Sequence, residues 1–362
     1  MKKKVGIITF HNAHNYGAVL QAYALSKKIS SYGFEVEFIK SDLSYIQNHY
    51  KRHPFIKDKK ISFIQYAKNI VHYILDFKRI NKRYSSFERF IKKNFNEVNI
   101  THKKSEFDFV ILGSDQIWNS NITNKFDPIF FGVDDNILAK KVISYAASMG
   151  NATQSKNLTK DFDRLIANVN SIGVREYELK SILNKKYDFD VNLNLDPTLL
   201  LDKMMWGNGN IKTKNNIVIY EVYNSKESIL ISEYLKSRFN LDVKIISSGS
   251  PSILVSNEII TTASPDDFID LLSSASFIIT TSFHGTVFSI INNVPFYTVK
   301  INDGVDKRSA NLLEQLGLSD RHVLNLDEAK SIDTTINFSE ANSKLKELQD
   351  ISDAFLRKEL DV

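Results

Sequence analysis

The chain contains no cysteine. That excludes disulfides, thiolate zinc sites and a cysteine nucleophile, and it fits a reducing compartment. No stretch of about 18 apolar residues occurs, so no membrane-spanning helix is expected. Lys2–Lys4 run straight into Val5-Gly-Ile-Ile-Thr-Phe10, too short an apolar run for a secretory signal and expected as a first strand. A cytoplasmic location is the expectation. There is no G-x-G-x-x-G fingerprint, which argues against a dinucleotide, and there is no internal repeat or low-complexity tract.

What is present suits two domains. The chain has 362 residues, of which 43% are hydrophobic, enough for two ordinary cores. The net charge of +5 is unevenly spread. Between Lys51 and Lys104 fifteen Lys/Arg face four Asp/Glu, interleaved with Phe55, Phe63, Tyr66, Tyr73, Phe77, Tyr84, Phe87 and Phe90. Ile70, Ile74, Phe77 and Ile80 fall at helical spacing. The segment reads as a solvated basic face over a buried stripe. Peripheral contact with an anionic membrane is the other reading. No nucleic-acid motif accompanies it, so nucleic acid is not expected as a partner.

Strand and helix patterns alternate along the chain, as in parallel, doubly wound sheets. The first half runs to residue 205 and carries a basic helical insertion near 44–101. A polar, glycine-bearing linker follows at 206–216. A second alternation spans 216–330, and 331–362 is a charged helical tail. The expected fold is therefore α/β, with two Rossmann-like doubly wound domains facing a cleft. A last helix crossing back to the first domain would make that cleft a hinge.

The sharpest local signal is Phe277-Ile-Ile-Thr-Thr-Ser-Phe-His-Gly-Thr-Val-Phe-Ser-Ile-Ile291. It reads as a buried strand, a tight turn with Ser282, His284 and Gly285, and an apolar helix from about Thr286. Helix N-termini offer free N–H groups to an anion, and a histidine there can move a proton near neutral pH. His284 as a helix cap is the plainer reading. The first strand ends similarly, with His11, Asn12 and Asn15 in a polar loop before Gly17 opens a helix. These residues face the cleft in one reading, and Asn15 caps the helix in the other. His11 and His14 lack a nearby carboxylate set in sequence, so no metal is expected.

Asp115, in Gly113-Ser-Asp-Gln116, is a candidate carboxylate at a strand end or a helix N-cap. Arg175 can grip a carboxylate or phosphate bidentately, or pair with Glu176 or another acid. Lys300, Lys307 and Arg308 add positive charge beyond the His284 strand. Lys307 and Arg308 read as plain surface charges at a helix start or, because cations there oppose the dipole, as ligands of a bound anion.

Taken in order, seven segments resemble the polysaccharide pyruvyl transferase family: Gly6 to Tyr23, Leu112 to Asn119, Ser144 to Ser148, Val174-Arg-Glu176, Leu195-Asp-Pro-Thr198, Ser282 to Ser289 with Pro295, and Arg308 to Leu318. The chain departs from many relatives at Thr281 and Phe283. The resemblance implies a glycosyltransferase-B-like pair of domains, with the acceptor on the first and the donor on the second. The donor it implies is phosphoenolpyruvate, a co-substrate, with no cofactor and no metal. The acceptor is a sugar of a bacterial surface polysaccharide or a lipid-linked oligosaccharide, and the product is a pyruvate ketal. On this resemblance His284 relays a proton and Asp115 stabilises developing positive charge. Arg175, Ser282, Gly285, Lys300, Lys307 and Arg308 hold the donor, while His11, Asn12, Asn15 and Gly17 line the acceptor side. A nucleotide-sugar glycosyltransferase and a non-catalytic binding protein on the same scaffold are the alternatives.

Overall fold

The computed structural model describes residues 2–40, 70–71, 73–101, 104–123, 125–150, 158–206, 215–247, 258–301 and 306–362, with residues 62 and 153. Much of the basic segment 44–101, most of the linker at 206–216 and residues 302–305 lie outside them.

Two parallel sheets form the frame. The first holds β1 (Lys4–Ile8), β2 (Glu35–Lys40), β3 (Glu97–Asn99), β4 (Ser105–Leu112), β5 (Ile137–Ala147), β6 (Ser171–Val174) and β7 (Val191–Leu193), in the order β3-β2-β1-β4-β5-β6-β7. The second holds β8 (Asn216–Tyr220), β9 (Asp242–Ile246), β10 (Glu258–Ile260), β11 (Phe277–Thr280), β12 (Phe296–Val299) and β13 (His322–Val323), in the order β10-β9-β8-β11-β12-β13. Both sheets thus repeat the doubly wound order, with a switch point between the first and fourth strands. The central strands are continuous apolar runs, as burial on both faces requires. Edge strands β3 and β7 were not expected. Each has only three residues, too short for its pattern to stand out.

The helices are α1 (Tyr16–Ser31), α2 (Phe77–Asn94), α3 (Lys160–Ile166), α4 (Tyr177–Lys186), α5 (Lys226–Phe239), α6 (Pro265–Ser273), α7 (Phe283–Asn292), α8 (Asp306–Leu316), α9 (Leu326–Lys330) and α10 (Ser339–Glu359). Helix α7 is buried at every residue, so it carries no polar face. It ends where Asn293 adopts a left-handed conformation. Helix α6 starts with a reciprocal Ser264–Asp267 capping box and Pro265 in its first turn.

The two halves share one apolar cluster that includes Val19 and Leu20 of α1, Phe268 and Leu272 of α6, Phe288 of α7 and Leu356 of α10. Tyr16 stacks on Phe268 at 4.4 Å, and its hydroxyl donates to the Ala263 carbonyl at 2.8 Å. Helix α10 packs on α8 and is tied to the first half. Lys28 pairs with Asp353 at 2.5 Å, and Gln349 donates to the Leu199 carbonyl at 2.6 Å. A continuous apolar core thus runs through the interface between the two halves.

The basic stripe also differs from expectation. Ile74 and Phe77 are exposed, and the residues α2 buries are Phe87, Phe90 and Ile91. No helix of the described residues is long and apolar enough to cross a membrane.

Candidate functional site

The loops after β1, β4, β8 and β11, the strands at the two switch points, converge on one cleft of about 240 Å³. Ligands of open α/β sheets bind at such places. The β1 loop contributes Phe10, Ala13 and Asn15, and the β4 loop Asp115 and Gln116. The β8 loop contributes Val222 and Tyr223. The β11 loop and the start of α7 contribute Thr281, Ser282, Phe283 and His284, and α8 contributes Arg308.

Side chains lock these loops in pairs. Gln21 donates to Thr9 Oγ1 at 2.9 Å, and the Thr9 hydroxyl donates to the Ser114 carbonyl at 3.0 Å, joining the β1 and β4 ends. Thr281 plays the same part in the second sheet. Its hydroxyl donates to the Tyr223 carbonyl at 3.1 Å and accepts from the Val222 amide at 3.3 Å.

His284 does not sit in a turn. Ser282 occupies the N-cap position and α7 begins at Phe283, so His284 and Gly285 belong to its first turn. Gly285 is needed for close approach rather than for a bend, since a Cβ there would overlap the Thr280 hydroxyl. Gly17 has the corresponding role across the interface, where a Cβ would overlap His284 Nδ1. The imidazole of the second half therefore rests on the first turn of α1 in the first half.

Behind the imidazole lies Asp196, fully buried at the start of a short 3-10 turn (Pro197–Leu200). Its Oδ2 is 3.7 Å from His284 Nε2, an ion-pair separation too long for a hydrogen bond. The same oxygen accepts from Arg175 Nη1 at 2.6 Å. Oδ1 accepts from the Thr198 amide at 3.0 Å and from its hydroxyl at 2.6 Å. Burial raises the Asp196 carboxyl's pKa. Neighbouring His284, Arg175 and Thr198 more than offset that and hold it well below the usual carboxylate range. His284 Nε2 is buried and has no hydrogen-bond partner among the described residues.

Two guanidiniums lie over the Phe283 ring, Arg175 at 5.3 Å and Arg308 at 5.4 Å from its centroid. Arg175 is the ion-pair partner of Asp196, yet its Nε and Nη2 have no hydrogen-bond partner among the described residues. Burial lowers its pKa, but Asp196, Glu176 and Asp115 leave it raised. For Arg308, burial and then the Arg175 charge push the pKa down, against Asp115, Glu176 and Asp196. Burial also pushes up the Glu176 carboxyl, against Arg175 and the Ser148 hydroxyl that donates to it.

The cleft brings together His284, Asp115, Ser282, Arg308 and Asn15. Gly17 and Gly285 stand just behind it, and Arg175 sits on the far side of Phe283. Asn15 also accepts from the Ala18 amide at 3.3 Å as the N-cap of α1, so both of its readings hold. Asp115 caps no helix. It occupies a left-handed conformation (φ 72°) in a bridge to Ala147. Four expected residues lie elsewhere. Lys300 is 3.9 Å from Glu328, and Lys307 is exposed and does not line the cleft. Both ring nitrogens of His11 are engaged, Nδ1 at the Thr9 carbonyl oxygen (3.1 Å) and Nε2 at Glu97 (3.0 Å). Asn12 also hydrogen-bonds Glu97. His14 pairs with Glu88 at 2.9 Å, so each loop histidine does have a carboxylate, supplied by distant chain. Among the described residues no group of three or more His, Asp or Glu is placed to hold a metal.

Sequence reasoning missed Asp196. An Asp before Pro reads as a cap, which accounts for Oδ1 and hides the second oxygen. The available signal was the alternating Val191-Asn-Leu-Asn-Leu-Asp196 stretch, which puts that carboxylate just past a short strand.

Residues 15–303 match the family model described as polysaccharide pyruvyl transferase. No curated protein matches the chain in sequence. Among solved structures, the chain is similar to the UDP-GlcNAc 2-epimerase of Neisseria meningitidis bound to UDP-GlcNAc. Identity is 11%, coverage 99% of both chains and the TM-score 0.51. Weaker likenesses include the Methanocaldococcus jannaschii UDP-GlcNAc 2-epimerase with UDP-GlcNAc and UDP (11% identity, 96% and 99% covered, TM-score 0.47). The E. coli heptosyltransferase WaaC with ADP is weaker again (10% identity, 96% and 99% covered, TM-score 0.39). The first likeness supports a bilobed, glycosyltransferase-B-like fold.

Proposed function

Because the chain belongs to the polysaccharide pyruvyl transferase family, we propose that the cleft binds phosphoenolpyruvate and transfers its pyruvyl group to two hydroxyls of a sugar. The observation that carries this reading is Arg308. Its guanidinium lines the cleft beside a second arginine and has no hydrogen-bonded acceptor among the described residues. A half-buried cation that lines a cleft without an acceptor is placed to take an anion. The amino end of α7, facing the same space, adds N–H groups suited to a phosphate or carboxylate.

In this reading one sugar hydroxyl adds to C2 of the donor and gives up its proton, while the terminal methylene takes a proton and becomes a methyl group. Phosphate then leaves with the C2–O electron pair, generating an oxocarbenium. The second hydroxyl adds to it and releases its proton, closing the ketal. His284, with Asp196 behind it, suits the proton transfers. Asp115, on the opposite wall, suits the stabilisation of positive charge at C2. Arg308 and the start of α7 hold the anionic end. Lys300 and Lys307 have no part in it, and neither do His11 and Asn12 on the acceptor side. The acceptor, free or lipid-linked, enters from the cleft mouth near Asn15.

A nucleotide-sugar donor is the second reading, and as far as fold goes the solved structures favour it, since the Neisseria protein is an epimerase bound to UDP-GlcNAc. At that identity the likeness speaks for fold alone. The cleft of about 240 Å³ falls below the common range for drug-sized ligands, roughly 300–1,000 Å³. On the His284 side of Phe283 alone, that size suits a three-carbon phosphate better than a nucleotide sugar.

Phosphate release from phosphoenolpyruvate against a panel of galactosides, mannosamine derivatives and lipid-linked oligosaccharides tests the proposal, with UDP-GlcNAc turnover measured in parallel. Turnover of the nucleotide sugar alone would replace the first reading by the second.

A further inference from the structure

The basic segment is the part of the first half that the cleft chemistry does not use. Ile70, Val71 and Tyr73–Leu75 are helical and end in a turn at Asp76, just ahead of α2. Val71, Ile74 and Leu75 stand at i, i+3 and i+4, on one face of that helical stretch. They are 55%, 65% and 78% exposed. Single exposed apolar residues are ordinary. Three on one helical face, with exposed Phe77 next to them, form a patch that calls for a partner.

Helix α2 carries the charge. Lys78, Lys82, Arg89 and Lys92 are exposed and recur at spacings of four, seven and three, so they form one stripe. Phe87, Phe90 and Ile91 bury the opposite side. No acid shares the stripe. Glu88 lies on its flank and is taken by His14 at 2.9 Å, while Asp76 is taken by Arg79 at 2.7 Å. Lys78, Lys82 and Arg89 have no ion-pair or hydrogen-bond partner among the described residues.

We infer that this side of the first half docks on an anionic lipid surface, with Val71, Ile74 and Leu75 entering the bilayer interface and the α2 cations resting on the headgroups. Charge and apolar patch select that occupant together. Anionic headgroups attract Lys and Arg within a Debye length, and the boundary beneath them accepts aliphatic side chains. A nucleic acid would meet the cations but offers nothing to Val71, Ile74 and Leu75.

Helix α2 also packs on the loop that supplies Asn15 to the cleft, with His14 stacked on Phe87 at 5.3 Å. Docking therefore holds that loop close to the membrane. That a lipid-linked acceptor arrives by this route rests on the transfer reading above, whereas the docking itself does not.

Vesicle co-sedimentation of the full chain tests this. The vesicles are phosphatidylcholine, alone or with about one third phosphatidylglycerol, at low salt and at about 0.5 M salt. The chain pellets with the anionic vesicles at low salt and not with the neutral ones. Lys82→Ala with Arg89→Ala weakens that affinity about 25-fold, about fivefold for each cation. Ile74→Ser with Leu75→Ser weakens it by about tenfold or more. All four positions are exposed, so both double variants keep the wild-type melting temperature. The emission of Leu75→Trp shifts to the blue when anionic vesicles are added, over a constant background from buried Trp118 and Trp206. Equal pelleting with both vesicle types, no pelleting with either, or an unshifted Leu75→Trp emission overturns the docking. A serine variant that pellets like the wild type, or a duplex DNA probe bound as tightly as the anionic vesicles, would make α2 a surface for polyanions in general and overturn it as well.

Discussion

The loops after β1 and β11 are built alike. Each follows a buried strand and brings histidine and glycine to a helix start, His11 and His14 ahead of α1 and His284 in the first turn of α7. Their histidines end differently. His11 and His14 are hydrogen-bonded to Glu97 and Glu88, which come from β3 and α2 in the same half. His284 meets its carboxylate, Asp196, across the interface at 3.7 Å, and it opens onto the cleft. One local pattern thus yields two closed structural histidines and one histidine free to work. The distinction lies in which distant carboxylate reaches the ring, and how closely.

The largest effect expected from breaking this contrast is on turnover. His284→Ala should lower phosphate release by about two to four orders of magnitude, the range for a lost general acid or base. His11→Ala should change turnover only a few-fold, while urea unfolding shows a loss of about 1–3 kcal/mol from its unpaired partners. Equal kinetic losses in the two variants would erase the distinction.

Arg175 sharpens it from the carboxylate side. Arg175→Met leaves Asp196 buried without its closest cation, and such broken pairs lose about 3–5 kcal/mol. Denaturant unfolding reads this directly, and wild-type stability would mean that Thr198 and His284 suffice for Asp196. Arg308 has no such partner, so Arg308→Lys should spare stability and raise the donor KM about 10- to 100-fold. A stability loss without a KM change would make Arg308 structural.

Gly17→Ala tests the contact that seats the imidazole. The new methyl overlaps His284 Nδ1, so the ring must shift, and turnover should fall about tenfold or more with little change in donor affinity. Unaltered turnover would show that the ring position is uncritical.

The smallest effect is electrostatic. The hydrogen bond from His11 holds the Glu97 carboxyl down at about 2, against burial and with help from Asn12. A depressed carboxyl stabilises the fold above its unfolded pKa, about 4.3, and that contribution is lost as pH falls toward the folded value. Glu97 is half-buried, so the gain is a fraction of a kcal/mol, on the order of an exposed pair. Urea midpoints of wild type and Glu97→Gln should therefore differ at pH 6 and converge as pH approaches 2 (both values approximate). A constant difference would assign the effect to packing.

Much of the frame is legible in the chain. The apolar runs Val5–Ile8, Val110–Leu112 and Phe277–Ile279 announce buried strands, and Ser264-Pro265 announces a helix start, because strand burial and capping depend on near neighbours. The start of α7 was misplaced by three residues. His284 and Gly285 look like turn residues, but Ser282 takes the cap and Gly285 answers to Thr280, a contact between helix and strand end. In the site, His284, Arg308, Asp115 and Asn15 could be found because each lies just past a strand or at a helix start. Asp196 could not, because its free oxygen is used only by residues 21 and 88 positions away in the chain, Arg175 and His284.

The sequence by itself determined the alternating order of elements, the apolar strands and the helix N-terminus that follows β11, since each follows from side-chain type and spacing within a few residues. Only the tertiary structure decided which histidine stayed open, which arginine was left without a hydrogen-bonded acceptor, and that Phe283 sets Arg175 apart from the cleft. Those outcomes turn on Coulomb and packing contacts between groups far apart in the chain. Such contacts depend on ångström distances that no local pattern encodes.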